Sequence, residues 1–155
     1  MPTYEQLFSK AIRLLSLRAR SIKEVSDRLK RLTPNQDLID QVLEDLIKKG
    51  FLNDLDFAQS FVDSRLRSKP KGKMVLKYEL SQKGISQEVI NKVLNQIFSD
   101  PEVELKLAKN FLKKKTALNR LDPQAFKKKA YSALKRRGFS SQTIFKIIDS
   151  DVFEE

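Results

Sequence analysis

The chain has 155 residues, with 31 Lys and Arg against 20 Asp and Glu, a formal net charge of +11, and no Cys, His or Trp. Without cysteine and histidine, a disulfide-built secreted module, a thiolate metal site, a cysteine nucleophile and an imidazole base are excluded. The excess positive charge favours a binding role with a polyanion or an acidic protein.

Apolar residues recur at the spacing of amphipathic helices almost throughout, as in Leu7, Ala11 and Leu14. The sequence lacks strand-like alternation and hairpin turn dipeptides, so we predict an all-α fold. The predicted helices cover residues 3–18, 21–32, 35–49, 54–67, 72–83, 86–98, 101–116, 122–137 and 140–150. No apolar run reaches the length of a secretion signal or a membrane helix, so we expect a cytoplasmic chain without a membrane segment.

Polar residues at the ends of these helices agree with the predicted boundaries. Thr3 with Gln6, and Ser21 with Glu24, have the spacing of a capping box, in which two side chains bond the first backbone amides of a helix. Glycine commonly ends a helix in the left-handed conformation. Three glycines follow predicted helices in this way: Gly50, Gly84 and Gly138.

Two segments invite a chemical interpretation that the sequence does not support. The Gly72-Lys73 pair lacks the flanking residues of a phosphate-binding loop, so we interpret it as part of a basic turn that leads into a helix. Asn53, Asp54 and Asp56 lack the spacing of a calcium loop. Asn53 or Asp54 can instead cap a helix, with Asp56 near its positive end. The sequence therefore offers no catalytic constellation, metal site or cofactor site.

The nine predicted helices form three copies of one three-helix unit. Placing Thr33, Gly84 and Gly138 in register aligns the second and third helices of all three copies. Four residues earlier each copy has a leucine, namely Leu29, Leu80 and Leu134. The predicted repeats are residues 1–50, 51–98 and 99–155. Because a three-helix unit buries little area alone, we expect the repeats to stack into an elongated, curved arrangement.

The charge is unevenly divided along the chain. Residues 1–64 contain ten basic and ten acidic side chains, whereas residues 65–155 contain 21 basic and ten acidic ones. The first repeat is therefore electrically balanced, and we expect it to contact protein. The basic second and third repeats are expected to face DNA, provided that folding brings their cations onto one side.

Basic residues form exposed rows on the predicted helices of the second and third repeats. A row of cations that neutralises phosphates gives salt-sensitive binding without base recognition, although a single row is equally typical of a solvated helix face. The candidate binding residues are Arg65, Arg67, Lys69, Lys71, Lys73, Lys77, Lys106, Lys109, Lys113, Lys114, Lys128, Lys135 and Arg136. We predict that they bind single- or double-stranded DNA without sequence preference.

Three groups of motifs stand out. The central group is Leu52-Asn53-Asp54, Phe57-Ala58, Phe61-Val62, Arg65, Lys71-Gly72, Glu79-Leu80 and Lys83-Gly84-Ile85, and the others are Arg18-Ala19-Arg20-Ser21 and Lys135-Arg136-Arg137-Gly138-Phe139-Ser140. Together they resemble the RecX family, which regulates the bacterial recombinase RecA, and the central group is the most specific. The resemblance spans nearly the whole chain. It departs at Asn53, where the family usually has an acidic residue, and at Thr33-Pro34, which replaces a Gly-apolar pair.

The resemblance implies a cytoplasmic, monomeric regulator without a cofactor. It would lie in the groove of the RecA–DNA filament and limit RecA activity in recombination, DNA repair and the SOS response. Three routes to inhibition stay open: bridging RecA protomers, blocking filament growth, or competing for the second DNA strand. Two other classes also stay open, a stand-alone DNA-binding protein of helix-turn-helix type and a helical interaction scaffold; an enzyme is the least expected.

Overall fold

The computed structural model describes residues 1–68 and 70–149, and within these ranges it contains nine α-helices, one 3-10 helix and no β-strand. The α-helices are α1 Tyr4–Leu17, α2 Ile22–Lys30, α3 Gln36–Lys48, α4 Asp54–Ser68, α5 Lys73–Gln82, α6 Gln87–Ile97, α7 Pro101–Lys113, α8 Pro123–Arg136 and α9 Ser141–Ile148. The predicted all-α fold with nine helices is confirmed. Among the described residues, no helix is long and apolar enough to cross a membrane.

Most predicted helix boundaries agree with the structure to within two residues, and the clearest difference follows α7. This helix ends at Lys113 rather than at residue 116, and a 3-10 helix spans Thr116–Arg120. Leu118 of the 3-10 helix is buried among the residues of the surrounding core, so tertiary packing holds a segment that has no helical period of its own. The last predicted residue of the ninth helix, 150, lies outside the described residues.

The predicted helix caps form. Hydroxyls of Thr3 and Ser21 accept the third backbone N–H of their helices, and the side chains of Gln6 and Glu24 bond back to the cap residues, which completes both capping boxes. The glycines that end helices have φ angles of +81° at Gly50, +80° at Gly84 and +85° at Gly138, as a left-handed C-terminal residue requires.

Of the two residues predicted to cap α4, Asn53 does so. Its side-chain oxygen accepts the backbone N–H groups of Leu55 at 2.9 Å and Asp56 at 3.2 Å. The carboxylate of Asp54 instead accepts the backbone N–H of Ile22 at 2.9 Å, so it satisfies the start of α2. Burial raises the pKa of the Asp54 carboxyl, while the hydrogen bond from Ile22 acts in the opposite direction.

The chain divides into two compact units, and the division passes through the second predicted repeat. The first unit comprises residues 1–61 and 80–90. Helices α1, α2 and α3 pack on one another there. Their core contains the register residue Leu29, which is fully buried, together with Leu7, Ala11, Val25, Ile39, Val42, Leu43, Leu46 and Leu52. The apolar residues that recur at helical spacing in the first repeat thus form most of this core.

The second unit comprises the described residues of 62–79 and 91–149. Helices α7 and α8 both pack against α9, and the 3-10 helix packs against α7 and α8. The register residue Leu134 is fully buried in a core that also contains Ala108, Phe111, Leu112, Leu118, Ala130, Ala133, Phe139, Ile144 and Ile147. Thr143 of α9 is also buried, and its hydroxyl accepts a hydrogen bond from the Ser140 hydroxyl at 3.0 Å.

The second helix of the third repeat begins earlier than its counterparts. Ser21, Gly72 and Phe126 each stand twelve residues before the register positions Thr33, Gly84 and Gly138. Ser21 and Gly72 immediately precede α2 and α5, whereas Phe126 lies inside α8, which starts at Pro123. The Phe126 side chain packs partly buried against the core of the second unit.

Candidate nucleic-acid interface

In the first unit, the turn after α5 contacts the start of α2. The Ser21 hydroxyl donates a hydrogen bond to the carbonyl of Lys83 at 2.7 Å. A Cβ added to Gly84 would lie 2.5 Å from the Cβ of Lys23, so the glycine turn lies directly on α2. We call this contact between Ser21, Lys23, Lys83 and Gly84 the first joint, because it connects residues of the first and second repeats.

The carboxylate of Glu24 forms ion pairs with two cations beside the first joint. Glu24 is 2.8 Å from the guanidinium of Arg18 and 3.4 Å from the ammonium of Lys83, and it accepts the backbone N–H of Ser21. Burial favours the neutral carboxyl, but the hydrogen bonds from Arg18 and Ser21 and the charges of Lys83 and Arg18 outweigh burial and lower the pKa of Glu24 to about 2. Glu24 is therefore ionised at neutral pH.

In the second unit, the turn after α8 makes the corresponding contact with the start of α5. The backbone N–H of Gly72 donates to the carbonyl of Arg137 at 2.6 Å, and that of Met74 donates to the carbonyl of Gly138 at 3.1 Å. A Cβ added to Gly72 would overlap the backbone of Gly138 and Phe139. We call this contact between Gly72, Met74, Arg137 and Gly138 the second joint.

The two joints occupy the same place in their repeats. Ser21 and Gly72 each precede the second helix of one repeat, and Lys83 and Arg137 each follow the second helix of the next. Sequence reasoning placed Gly72 in a basic turn and missed its role in packing, because no local pattern reveals which backbone will approach it. Only the alignment of the repeats pointed to this role of Gly72, because it places Gly72 at the same position as Ser21.

Several of the predicted binding residues in 65–77 have partners inside the protein. Glu79 lies 3.1 Å from the Arg65 guanidinium and 2.7 Å from the Lys71 ammonium, so one carboxylate faces two of these cations. The ammonium of Lys73 donates to the Asn95 side chain at 3.1 Å. Arg67 is exposed and Lys77 is half-buried, while Lys69 lies outside the described residues.

The predicted binding residues of the third repeat are mostly exposed. Lys109 is half-buried, and the Lys135 ammonium donates to the Tyr131 hydroxyl at 3.2 Å and lies 5.4 Å from the centre of its ring. The exposed residues are Lys106, Lys113, Lys114, Lys128, Lys135 and Arg136. Of these, the structure brings Lys128 and Arg136 together in one concave surface.

That concave surface is an open groove of about 520 Å³ between the end of α7, the 3-10 helix and α8. A smaller hollow of about 210 Å³ shares Lys115, Ala133 and Arg136 with it and adds Phe111 and Arg137. We call the combined surface the third-repeat groove. Its basic lining residues are Lys115, Lys128, Lys129, Arg136 and Arg137.

An aromatic ring lies beside two of the groove cations. The Lys115 ammonium is 5.2 Å and the Arg137 guanidinium carbon 5.0 Å from the centre of the Phe111 ring, distances at which cations are attracted to the face of an aromatic ring. Phe111 itself is only 7% exposed, so the ring is a fixed part of the core.

Sequence reasoning missed three of the five groove cations, namely Lys115, Lys129 and Arg137. The basic runs at residues 127–129 and 135–137 hinted at the contributions of α8. Nothing local indicated Lys115, because it stands just beyond α7 and reaches the groove through the turn into the 3-10 helix.

Comparison with known proteins identifies the three-helix units. Family models described as the first, second and third three-helix domains of RecX match residues 8–46, 53–94 and 102–148. The chain is 38% identical over 145 residues to the regulatory protein RecX of Chlorobium phaeobacteroides (strain BS1), covering 94% of this chain and 93% of that protein.

A longer relative and a solved structure show the same similarity. The chain is 40% identical over 126 residues to the regulatory protein RecX of Streptococcus sanguinis (strain SK36), covering 81% of this chain but 48% of that protein. The crystal structure of RecX from Lactobacillus salivarius matches with a TM-score of 0.79 at 27% identity, covering 94% of each chain. The chain therefore belongs to the RecX family, a family of regulatory proteins and not of enzymes.

Proposed function

We propose that this protein regulates the recombinase RecA in the cytoplasm by binding in the groove of the RecA–DNA filament. Binding there limits filament growth, ATP hydrolysis and strand exchange, and so restrains recombination and DNA repair. The observation that carries the proposal is the match of all three three-helix domains to RecX, which makes the regulatory role a property of the whole described chain.

The distribution of charge supports this role. The ten basic and ten acidic side chains of residues 1–64 balance, and Glu24 forms ion pairs with Arg18 and Lys83 at the first joint. The same part of the chain exposes large apolar side chains, namely Leu17, Leu32, Ile47 and Phe51, which favour contact with a protein. The third-repeat groove collects cations that favour contact with DNA.

The direct test is the DNA-dependent ATP hydrolysis and strand exchange of RecA with this protein added at substoichiometric amounts. We expect both activities to fall well below the rate without the protein, because each bound copy affects a filament of many RecA protomers. An equal amount of a basic protein of similar size serves as the control for nonspecific binding to DNA. Full RecA activity at every ratio would contradict the proposal.

The second candidate function is sequence-nonspecific DNA binding without RecA. The exposed cations of the third-repeat groove favour it, since cations attract phosphates whether or not RecA is present. A helix-turn-helix mode of binding is less well supported, because α6 carries only Lys92 and α9 only Lys146 as basic residues. Tight DNA binding with no effect on RecA would select this candidate.

A further inference from the structure

We propose that the third-repeat groove binds the phosphodiester backbone of a nucleic-acid strand. The inference deepens the proposed function, on which it rests for the presence of DNA at the target. It assigns DNA contact to the five groove cations, Lys115, Lys128, Lys129, Arg136 and Arg137. Three of these stand outside the rows of basic residues that the sequence singled out.

Among the described residues, the positive charge of the groove is uncompensated. The residues that line the groove include five cations and no carboxylate, and none of the five forms an ion pair within the described part of the chain. Arg65 and Lys71 differ, because Glu79 already faces both. A polyanion entering the groove therefore gains attraction without breaking an existing ion pair.

Two of the five groove cations, Lys115 and Arg137, already have contacts in the free protein. Phe111 lies beside Lys115 and Arg137, and the backbone of Arg137 is held by the hydrogen bond from Gly72 in the second joint. Long basic side chains normally lose conformational freedom when they bind a ligand, and contacts already present in the free protein reduce that loss.

The groove fits a phosphodiester strand better than it fits an acidic protein. Protein partners usually anchor through an apolar side chain that fills a pocket at the centre of the interface. The apolar groups of this groove are nearly covered, with Phe111 and Ala133 each 7% exposed and Leu118 9% exposed. The same burial leaves Phe111 unable to stack on bases, so we expect backbone contact without sequence preference.

The test compares two double variants that change the net charge equally. Lys128→Glu with Arg136→Glu reverses two groove cations, whereas Lys92→Glu with Lys146→Glu reverses two exposed cations on α6 and α9 in the same unit. All four side chains are exposed, so both variants should fold, and far-UV circular dichroism checks this. Lys128→Gln with Arg136→Gln provides a milder groove variant.

The measurement is fluorescence anisotropy of labelled oligonucleotides of one length, single-stranded and duplex, at several salt concentrations. We expect the groove variant to lose at least tenfold in affinity at low salt and to reduce the salt-dependence slope by about two, because two phosphate contacts are removed. The Lys92 and Lys146 variant should stay within about twofold of the unaltered protein. Loss of affinity for either the single-stranded or the duplex oligonucleotide supports the assignment of DNA contact to the groove. The oligonucleotide that loses affinity identifies the form of DNA that the groove binds.

Three results would overturn the groove assignment. The first is affinity for both strand forms within twofold of the unaltered protein, and the second is an equal loss in the Lys92 and Lys146 variant. The third is loss of binding to polyglutamate with unchanged binding to DNA, which would indicate an acidic protein ligand. The RecA assay separates this inference from the proposed function: groove-dependent DNA binding without any effect on RecA contradicts only the latter.

Discussion

In the two joints, carbonyl groups at equivalent positions of the repeat accept hydrogen bonds from different kinds of donor. In the first, the Ser21 hydroxyl reaches the carbonyl of Lys83 at 2.7 Å. In the second, the backbone N–H of Gly72 reaches the carbonyl of Arg137 at 2.6 Å. A hydroxyl extends beyond the backbone that carries it, so serine allows the two chains to stay further apart. A backbone donor requires direct approach, and only glycine leaves room for it.

The electrostatic surroundings of the joints also differ. Glu24 forms ion pairs with both Arg18 and Lys83 at the first joint. At the second joint, Arg137 belongs to the groove and lies beside Phe111 instead of a carboxylate. The same packing contact therefore occurs in two electrostatic settings: at the first joint a carboxylate pairs with two cations, whereas Arg137 at the second joint has no carboxylate partner among the described residues.

The largest effect should come from closing the space at the second joint. Gly72→Ala places a methyl group on the backbone of Gly138 and Phe139, so the two hydrogen bonds of the joint must break or the chains must move apart. We expect the free energy of unfolding to fall by about 3 kcal/mol. Urea unfolding followed by circular dichroism measures the loss.

Gly50→Ala is the matched control for Gly72→Ala. Gly50 has a φ angle of +81° but open space around an added Cβ, so its substitution adds backbone strain alone. We expect a cost of about 1–2 kcal/mol. If Gly72→Ala proved no more costly than this control, the close approach at the second joint would be wrong.

Removing the hydroxyl of the first joint should have an intermediate effect. Ser21→Ala removes both the cap of α2 and the hydrogen bond to Lys83, with an expected loss of about 1–2 kcal/mol. Thr3→Ala removes the corresponding capping-box hydroxyl of α1 without a joint and is expected to cost about 1 kcal/mol. Equal losses in urea unfolding would show that the bond to Lys83 adds nothing.

The smallest effect concerns the charge at the first joint. Folding lowers the pKa of Glu24 from 4.5 to about 2, so its stabilising contribution is present above pH 4.5 and is lost as the pH falls toward 2. Glu24→Gln should cost about 0.5–1 kcal/mol at pH 7, as partly exposed ion pairs do. The measurement is urea unfolding at pH 7, 4 and 3.

In that series the free energies of unfolding of Glu24→Gln and of the unaltered protein should converge as the pH falls. Protonation of Glu24 removes the same charge that the substitution removes. A difference that stays constant between pH 7 and pH 3 would exclude the ion pairs as its source. Salt at pH 7 offers an independent check, because screening should also reduce the difference.

Features that depend on neighbouring residues in the sequence could be predicted, and features that depend on distant ones could not. The capping boxes at Thr3 and Ser21 follow from spacing within a single helical turn, and the buried leucines follow from helical periodicity. The role of Gly72 depends on Gly138, which lies in another repeat. No local pattern specifies that approach.

The candidate site shows the same limit. Its exposed cations on α8 could be predicted from a basic run. Their proximity to Lys115 depends instead on the turn into the 3-10 helix, in which Leu118 is buried. The pairing of Arg65 and Lys71 with Glu79 was equally hidden, because it joins α4, α5 and the segment between them. Sequence shows where charge is abundant, and tertiary contacts show which charge stays available.

The early start of α8 limits how a further repeat could pack against the third repeat. A further unit that docked on the third repeat through a contact like the two joints would need a hydroxyl side chain or an unbonded glycine N–H at position 126. This position aligns with Ser21 and Gly72. The further unit would meet Phe126 there, inside a helix whose backbone amide already bonds Asp122. Tandem duplication beyond this repeat would therefore require a junction of a different kind.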